Sequence, residues 1–158
     1  MSQQKWDKRF ARLAKNEIAL WSKDPDEQVG CVLVSPDRRR LSTGYNGFPV
    51  GIADTEDRLK DKDVKNFLSV HAELNAILNS RTDLTGWTLY VTKAPCMNCA
   101  LAIIQAGIAR VVCEFINVES RWADNQTEAI KLLREAGVLF TTIDFDNLKE
   151  DSSCGFLS

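Results

Sequence analysis

From residue 86 onward, apolar stretches typical of buried strands alternate with amphipathic stretches typical of helices. The predicted strands are "GWTLYVT", "IARVVCEF" and "VLFTTIDF", and the predicted helices between them are "CMNCALAIIQAG" and "TEAIKLLREAG", each ending in a capping glycine. Such alternation requires crossover connections, which favour parallel neighbouring strands with helices packed on the sheet.

The first half of the chain predicts a different connectivity. An amphipathic first helix is expected to end near "SKDPDE", with an apolar stripe made by Trp6, Phe10, Leu13, Ile18 and Trp21. "VGCVLVS" and "LSTGY" are strands joined by the short turn "PDRRR", and the loop "NGFPVGIADTEDRLKDKD" leads to a helix that begins at His71. The predicted fold is therefore α/β: a three-layer α/β/α sandwich on a five-stranded mixed sheet that opens with an N-terminal antiparallel hairpin.

Length and charge limit the domain organisation and the partners. At 158 residues the chain is expected to form a single domain, residues 1–158, with a flexible C-terminal tail over 144–158. A formal net charge of −2 provides no basic surface for long nucleic acid. "MSQQKWDKRF" has no apolar signal core, and runs such as "CALAII" fall short of the roughly 18 residues that span a bilayer. The protein is therefore expected to work in the cytoplasm, away from membranes.

Two short motifs place metal-binding side chains at predicted helix starts. His71, the only histidine, precedes Glu73 by two residues, and Cys96 and Cys99 follow Pro95 in C-x-x-C spacing. If both helix N-termini lie at the same sheet edge, the imidazole and the two thiolates converge as three zinc ligands. Three protein ligands leave the fourth tetrahedral position open to water, which is typical of catalytic zinc. Glu73 is then the expected proton carrier.

Each motif alone has a simpler interpretation. "HAE" is often only a helix start, and a lone C-x-x-C can be a redox pair. The odd number of cysteines, five, argues against a disulfide framework, and Cys31 and Cys113, in apolar strands, are expected to be core residues. Together, however, H-x-E followed by P-C-x-x-C is the signature of zinc-dependent nucleobase deaminases.

With "VHAELNAI" and "APCMNCALAIIQAGI", the chain resembles the zinc-dependent cytidine and deoxycytidylate deaminase superfamily. "SKDPDEQVG", "GYNGFPVG" and "REAGV" extend this resemblance to the deoxycytidylate (dCMP) deaminases over roughly residues 5–143. The resemblance assigns His71, Cys96 and Cys99 as zinc ligands. It implies hydrolytic deamination of dCMP to dUMP and ammonia, which supplies dUMP for thymidylate synthesis, with Glu73 carrying a proton from the attacking water to N3 and the leaving group.

Candidate substrate contacts surround these motifs. The resemblance places Asn46 near the nucleotide, although N-G is also a turn signal that would put Asn46 in the left-handed conformation. Ala72 is a further candidate, and Trp122 could pack on the base or on a neighbouring subunit. The phosphate requires a cation, and the sequence leaves five candidates open: Lys23, Arg58, Lys60, Lys93 and Arg121. Arg121 is preferred because "ESRWADN" follows the fourth strand.

Relatives that share the "GYNGFPVG" loop are hexamers regulated by end products, so the resemblance implies a homo-oligomer, a hexamer, activated by dCTP and inhibited by dTTP. Glycines let a ligand approach the backbone, and carboxylates here could hold Mg²⁺ on a triphosphate. The candidate regulatory residues are Gly44, Tyr45, Asn46, Gly47, Gly51 and Asp54.

Some relatives bind a second zinc through His and Cys in the following loop. "GIADTEDRLKDKDVKNF" has neither, so one zinc per chain is expected.

Two other functions remain open. One is a different zinc deaminase, acting on cytidine, deoxycytidine or dCTP, or on adenosine in tRNA. The net charge disfavours RNA, and the "GYNGFPVG" resemblance disfavours the nucleoside enzymes. The other is a non-catalytic module stabilised by zinc, in which Glu73 has no purpose.

Overall fold

A five-stranded mixed sheet forms the centre of the computed structural model, which describes residues 1–148. The strands are β1 (Gly30–Val34), β2 (Leu41–Tyr45), β3 (Thr88–Val91), β4 (Arg110–Cys113) and β5 (Leu139–Thr142), in the order β2-β1-β3-β4-β5. β1 is antiparallel to β2 and to β3, whereas β3, β4 and β5 are parallel. The predicted hairpin and the predicted parallel half of the sheet are both confirmed.

Six α-helices of the described chain surround this sheet: α1 (Gln3–Asn16), α2 (Glu56–Lys60), α3 (Lys62–Leu68), α4 (Ala72–Ser80), α5 (Met97–Gln105) and α6 (Ala123–Glu135). Alternate strand residues face opposite layers, as the pleat requires. Val32 and Val34 pack with α1 on one side, whereas Cys31 and Leu33 join the core beneath α4, α5 and α6 on the other. The three-layer α/β/α sandwich is therefore confirmed. Cys31 and Cys113 are fully buried core residues, as predicted.

The structure corrects three details of the sequence analysis. α1 ends at Asn16, and a separate 3₁₀ helix (Ile18–Trp21) follows, so Trp21 is 58% exposed instead of continuing the buried stripe. The segment interpreted as one long loop contains α2 and α3, each with an N-cap side chain, Thr55 and Asp61. Phe145 and Leu148 are buried in the core around α1, so a flexible tail does not begin at residue 144. Residues 149–158 of that predicted tail lie outside the described residues.

A buried ion pair fastens α1 to the sheet. Both carboxylate oxygens of Asp7 accept hydrogen bonds from Arg110, at 2.7 and 2.8 Å, and Tyr90 donates its hydroxyl to the same carboxylate at 2.8 Å. Burial opposes ionisation of Asp7, but these donors outweigh it and lower the pKa of the carboxyl. The pair stays charged and fixes α1 across β3 and β4.

Among residues 1–148, none of the helices combines the length and apolar character that crossing a bilayer requires.

Gly44 brings α4 close to β2. A Cβ atom on Gly44 would lie 2.3 Å from the carbonyl oxygen of Ala72 and 2.3 Å from the amide nitrogen of Ala76, both in the backbone of α4. The helix therefore reaches this position only because residue 44 has no side chain. Close helix packing accounts for a glycine at this position, and its predicted regulatory role stays a prediction.

Gly44→Ala is expected to destabilise the fold by about 1–3 kcal/mol, because α4 must move away from β2 to accept the methyl group. A matched control is Gly47→Ala, whose Cβ would meet nothing closer than the Tyr45 ring at 3.9 Å. Thermal or urea unfolding of both variants checks the difference. Equal stabilities of the two variants would contradict this account of Gly44.

Candidate active site

Two helix N-termini bring three metal-binding side chains together. His71 is the N-cap residue of α4 and Cys96 that of α5, both with extended backbone, and Cys99 lies in the first turn of α5. The first helical hydrogen bonds run from Asn75 N–H to the carbonyl of His71 and from Ala100 N–H to that of Cys96. Because the α5 N-terminus follows β3 at its carboxyl end and α4 begins beside it, the two helix starts meet. The predicted convergence is present in the structure.

The geometry of this trio fits zinc. The Nδ1 atom of His71 lies 3.4 Å from the Sγ of Cys96 and 3.4 Å from the Sγ of Cys99. Zinc–sulfur and zinc–nitrogen bonds of about 2.3 and 2.0–2.1 Å at a tetrahedral angle require a nitrogen–sulfur separation of about 3.5 Å. All three ligand atoms lie within 4.8 Å of one another, and no other such group of His, Cys, Asp or Glu occurs in residues 1–148. These three residues form a candidate zinc site.

The two thiols are prepared for metal binding. A hydrogen bond between them lowers the pKa of Cys96 to about 4 and raises the pKa of Cys99. The lowered pKa favours the thiolate of Cys96, and it is the thiolate that binds metal.

Glu73 lies in the first turn of α4 and is 4% exposed. Burial raises the pKa of its carboxyl to about 7. A group with this pKa can take up and return a proton at neutral pH, which suits a general acid–base role. The H-x-E motif therefore provides a metal ligand and a proton carrier from one helix start.

A pocket of about 130 Å³ opens over this site. His71, Glu73 and Cys96 line it, whereas Cys99 is buried beneath them. The indole of Trp122 meets the His71 ring edge to face, with ring centroids 6.4 Å apart and an interplanar angle of 87°. A small ligand in this pocket would reach the metal site from its open side.

Comparison with known proteins identifies the family. A family profile described as "Cytidine and deoxycytidylate deaminase zinc-binding region" matches residues 4–115, which include the three ligand residues and Glu73. The chain belongs to this deaminase family. The resemblance seen in the sequence is confirmed.

Individual relatives agree with this family assignment. The chain is 38% identical to human deoxycytidylate deaminase over 150 residues, which cover 84% of this chain and 82% of the human protein. It is 40% identical over 147 residues to a deaminase in the luxG 3′ region of Aliivibrio fischeri, with 92% and 98% coverage. The crystal structure of dCMP deaminase from cyanophage S-TIM5 with dCMP and dUMP superposes with a TM-score of 0.70 at 23% identity, covering 90% of this chain and 99% of the phage chain. That likeness confirms the deaminase fold.

Most of the predicted substrate residues of this deaminase line the zinc pocket. Asn46, Ala72, Arg121 and Trp122 do so, and so does Lys93. Three predicted phosphate-binding candidates do not line the pocket and bond to other groups. Lys23 pairs with Asp54, Arg58 donates to the carbonyl of Ala53, and Lys60 pairs with Glu56.

Asn46 organises the loop beneath the pocket. Its side-chain amide donates to the carbonyl of Glu27 at 2.8 Å, and its side-chain oxygen accepts from the amide of Val29 at 2.8 Å. Asn46 does not have positive φ, so the interpretation as a left-handed turn residue is wrong. The residue both lines the pocket and holds the segment that precedes β1.

Sequence reasoning missed several residues that line the pocket of this deaminase: Asp24, Glu27, Asn66, Ser69 and Gln126. Gln126 was missed because α6 begins at Ala123, four residues before the predicted helix "TEAIKLLREAG". A spacing of three to four residues from Trp122 through Gln126 to Ala129 and Ile130 was the available signal. The amide of Gln126 donates to the carbonyl of Ala94 at 2.7 Å and so joins α6 to the start of the C-x-x-C segment.

Proposed function

We propose that the protein deaminates dCMP to dUMP and ammonia with zinc held by His71, Cys96 and Cys99. The observation that carries this proposal is the buried Glu73 carboxyl in the same pocket as two of the ligands. A non-catalytic zinc module has no use for a buried acid at this point. Family membership supports deamination, and the human relative named deoxycytidylate deaminase supports dCMP as the substrate.

The chain's own residues divide the work of the reaction. His71, Cys96 and Cys99 would hold a zinc ion, which would supply the Lewis acidity that makes water nucleophilic at neutral pH. Glu73 takes up the two protons of the attacking water in turn as its oxygen bonds to C4 of cytosine, and it delivers one proton to N3 and the other to the departing amino group. Trp122 and Ala72 confine the base at the pocket wall. The net reaction consumes one water and releases one ammonia.

We propose Arg121 as the residue that holds the substrate phosphate. Arg121 and Lys93 are the two basic residues among those described that line the pocket. Lys93 forms an ion pair with Glu27, so its charge is already offset. The guanidinium of Arg121 lies over the Trp122 ring, 5.3 Å from its centroid, and offers a planar set of donors suited to phosphate.

dCMP is expected to exceed deoxycytidine in kcat/KM by at least about 100-fold, because a charge-assisted phosphate contact contributes a few kcal/mol and each 1.4 kcal/mol is tenfold. The fall in ultraviolet absorbance as cytosine becomes uracil measures both substrates. Arg121→Gln should lower the ratio of kcat/KM for dCMP to kcat/KM for deoxycytidine. Lys93→Gln serves as the matched control. Equal efficiency of wild-type protein on the two substrates would refute the phosphate preference and favour a nucleoside deaminase.

We further propose that dCTP activates and dTTP inhibits the enzyme at a second, smaller pocket of about 90 Å³. Tyr45, Gly47 and Asp54 line it together with Lys23. The Lys23–Asp54 pair could separate to meet a phosphate and a magnesium ion of a triphosphate, respectively. Of the other predicted regulatory residues, Asn46 lines the zinc pocket, and Gly51, with a φ of 89°, has open space around it.

Regulation of this kind is communicated between subunits, and we propose that the protein is a homo-hexamer. We also propose that it works in the cytoplasm and that the dUMP it produces supplies thymidylate synthesis. Large apolar side chains on the monomer surface support association: Leu78, Leu101, Phe115 and Val118. dCTP with magnesium should turn a sigmoidal dependence of rate on dCMP into a hyperbolic one, and dTTP should deepen the sigmoid. Initial rates and a sizing measurement check this. A monomer with hyperbolic kinetics indifferent to both nucleotides would exclude regulation without affecting the proposed chemistry.

A further inference from the structure

A buried lysine, Lys65, lies next to the residues that line the zinc pocket and takes no part in the proposed reaction. α3 and the residue that ends it contribute Asn66 and Ser69 to the pocket lining. Lys65, directly before Asn66, is 4% exposed and does not line the pocket. An ammonium group is costly to bury unless it is paired, so its partners show what it does.

The partners of Lys65 lie about 40 residues earlier in the chain. Its Nζ donates to Oδ1 of Asp24 at 2.8 Å and also bonds to Oδ2 of Asp26. Burial by itself would lower the pKa of Lys65, but the hydrogen bonds to the two carboxylates outweigh burial and raise it. The lysine therefore stays charged and joins α3 to the segment 24–27.

Asp24 continues this connection into the pocket. Its Oδ1 accepts the backbone N–H groups of Asp26 and Glu27, at 2.8 and 3.1 Å, and its Oδ2 lies 3.5 Å from the side-chain nitrogen of Asn46. Asp24, Glu27 and Asn46 all line the zinc pocket. One carboxylate thus orders three parts of the lining, and Lys65 fixes that carboxylate.

We propose that Lys65 is a positioning residue for the substrate: it acts through Asp24 to hold the segment 24–27 against α3, and so sets the wall of the pocket without touching the nucleotide. Asp24 and Ser69 also line the second, smaller pocket, as does Lys65 itself, so this ion pair forms part of the partition between the two. The inference rests on the proposed deamination of dCMP.

Lys65→Met keeps most of the apolar stem and removes only the charged end. The expected result is a rise in KM for dCMP of about tenfold or more, because small misplacements of substrate-positioning groups have large effects. The value of kcat should stay within about threefold, and the zinc content should be unchanged, because the reacting groups lie on α4 and α5. A merely structural lysine would instead lower the yield of active, zinc-loaded protein and leave KM as in the wild type.

The matched control is Lys62→Met, the same substitution at an exposed position of the same helix. It should leave kcat and KM within about twofold of the wild type. A shift in KM equal to that of Lys65→Met would overturn the proposal, because a general loss of positive charge on α3 would then explain both variants.

Asp24→Asn provides a second test that remains available if Lys65→Met does not fold, because the amide oxygen can still accept the backbone N–H groups. It should raise KM in the same direction, and the double variant with Lys65→Met should add little further, because both act through one contact. An unchanged KM in Asp24→Asn, or additive effects in the double variant, would overturn the proposal. Wild-type protein inactive on dCMP would refute the proposed function instead, so the two failures are distinguishable.

Discussion

Glu73→Gln is expected to lower kcat for dCMP by about 10²–10⁴-fold while the protein keeps its zinc and its fold. Glutamine has the same size and can still form hydrogen bonds, but it cannot accept a proton from water and return it to the base. The buried carboxyl has a pKa raised to about 7, so the wild-type group exchanges a proton readily at neutral pH. Turnover is measured by the fall in ultraviolet absorbance, and zinc by elemental analysis of the same sample.

Glu119→Gln is the matched control for this variant. Glu119 is exposed on the loop that leads to Arg121, so the substitution removes one negative charge near the site without removing the proton carrier. It should retain near wild-type turnover. If Glu73→Gln deaminated dCMP within a few-fold of the wild type, Glu73 could not be the group that carries the proton.

Cys99→Ala is expected to abolish stable zinc binding and, with it, measurable turnover. Changes to residues that merely orient a ligand typically weaken metal binding by about 10–100-fold, and removal of a ligand should exceed that range. Only His71 and Cys96 would remain, and no other group of three metal-binding residues in residues 1–148 can replace the trio. Elemental analysis and the dCMP assay check the two losses together.

Cys113→Ala separates ligand loss from the loss of a buried thiol. Cys113 is fully buried in β4 and belongs to the core that packs beneath α4 and α5. The substitution also removes a buried cysteine thiol, but one that is not a metal ligand, so it should reduce stability and leave zinc bound. Zinc loss in both variants would show that disturbed packing, not coordination, explains the Cys99 result.

The metal site could be predicted from the sequence because its determinants are local. H-x-E and P-C-x-x-C each place their side chains within one helical turn, and the alternation of strands and helices brings both helix starts to one sheet edge. Only the convergence itself required an assumption about topology. The structure confirms it, with 3.4 Å from Nδ1 of His71 to each sulfur.

The pocket wall could not be predicted, because it depends on pairs that are distant in sequence. Lys65 looks like a surface charge in "DKDVKNF", and nothing in its neighbourhood indicates that Asp24 and Asp26 neutralise it. The Asp7–Arg110 pair is likewise 103 residues apart. Periodicity shows which side chains are buried in regular elements but not which buried charges meet.

Gly44 illustrates a different limit. The sequence places Gly44 in the predicted strand "LSTGY", and a role in ligand approach is predicted from the close backbone contact that a glycine allows. The structure places it in β2, where the backbone of α4 occupies the space of a side chain. The short helices α2 and α3 were missed because five and seven residues are too few to show a helical period, although Thr55 and Asp61 were cap signals.

The most direct test of the account is the zinc content and the dCMP turnover of the wild-type protein, measured on one sample before chelation, after chelation and after zinc is returned. The account predicts one zinc per chain, loss of turnover in step with the removal of zinc, and recovery when zinc is restored. Full deamination of dCMP by the zinc-free protein, or a zinc-loaded protein that does not convert dCMP to dUMP, would contradict it.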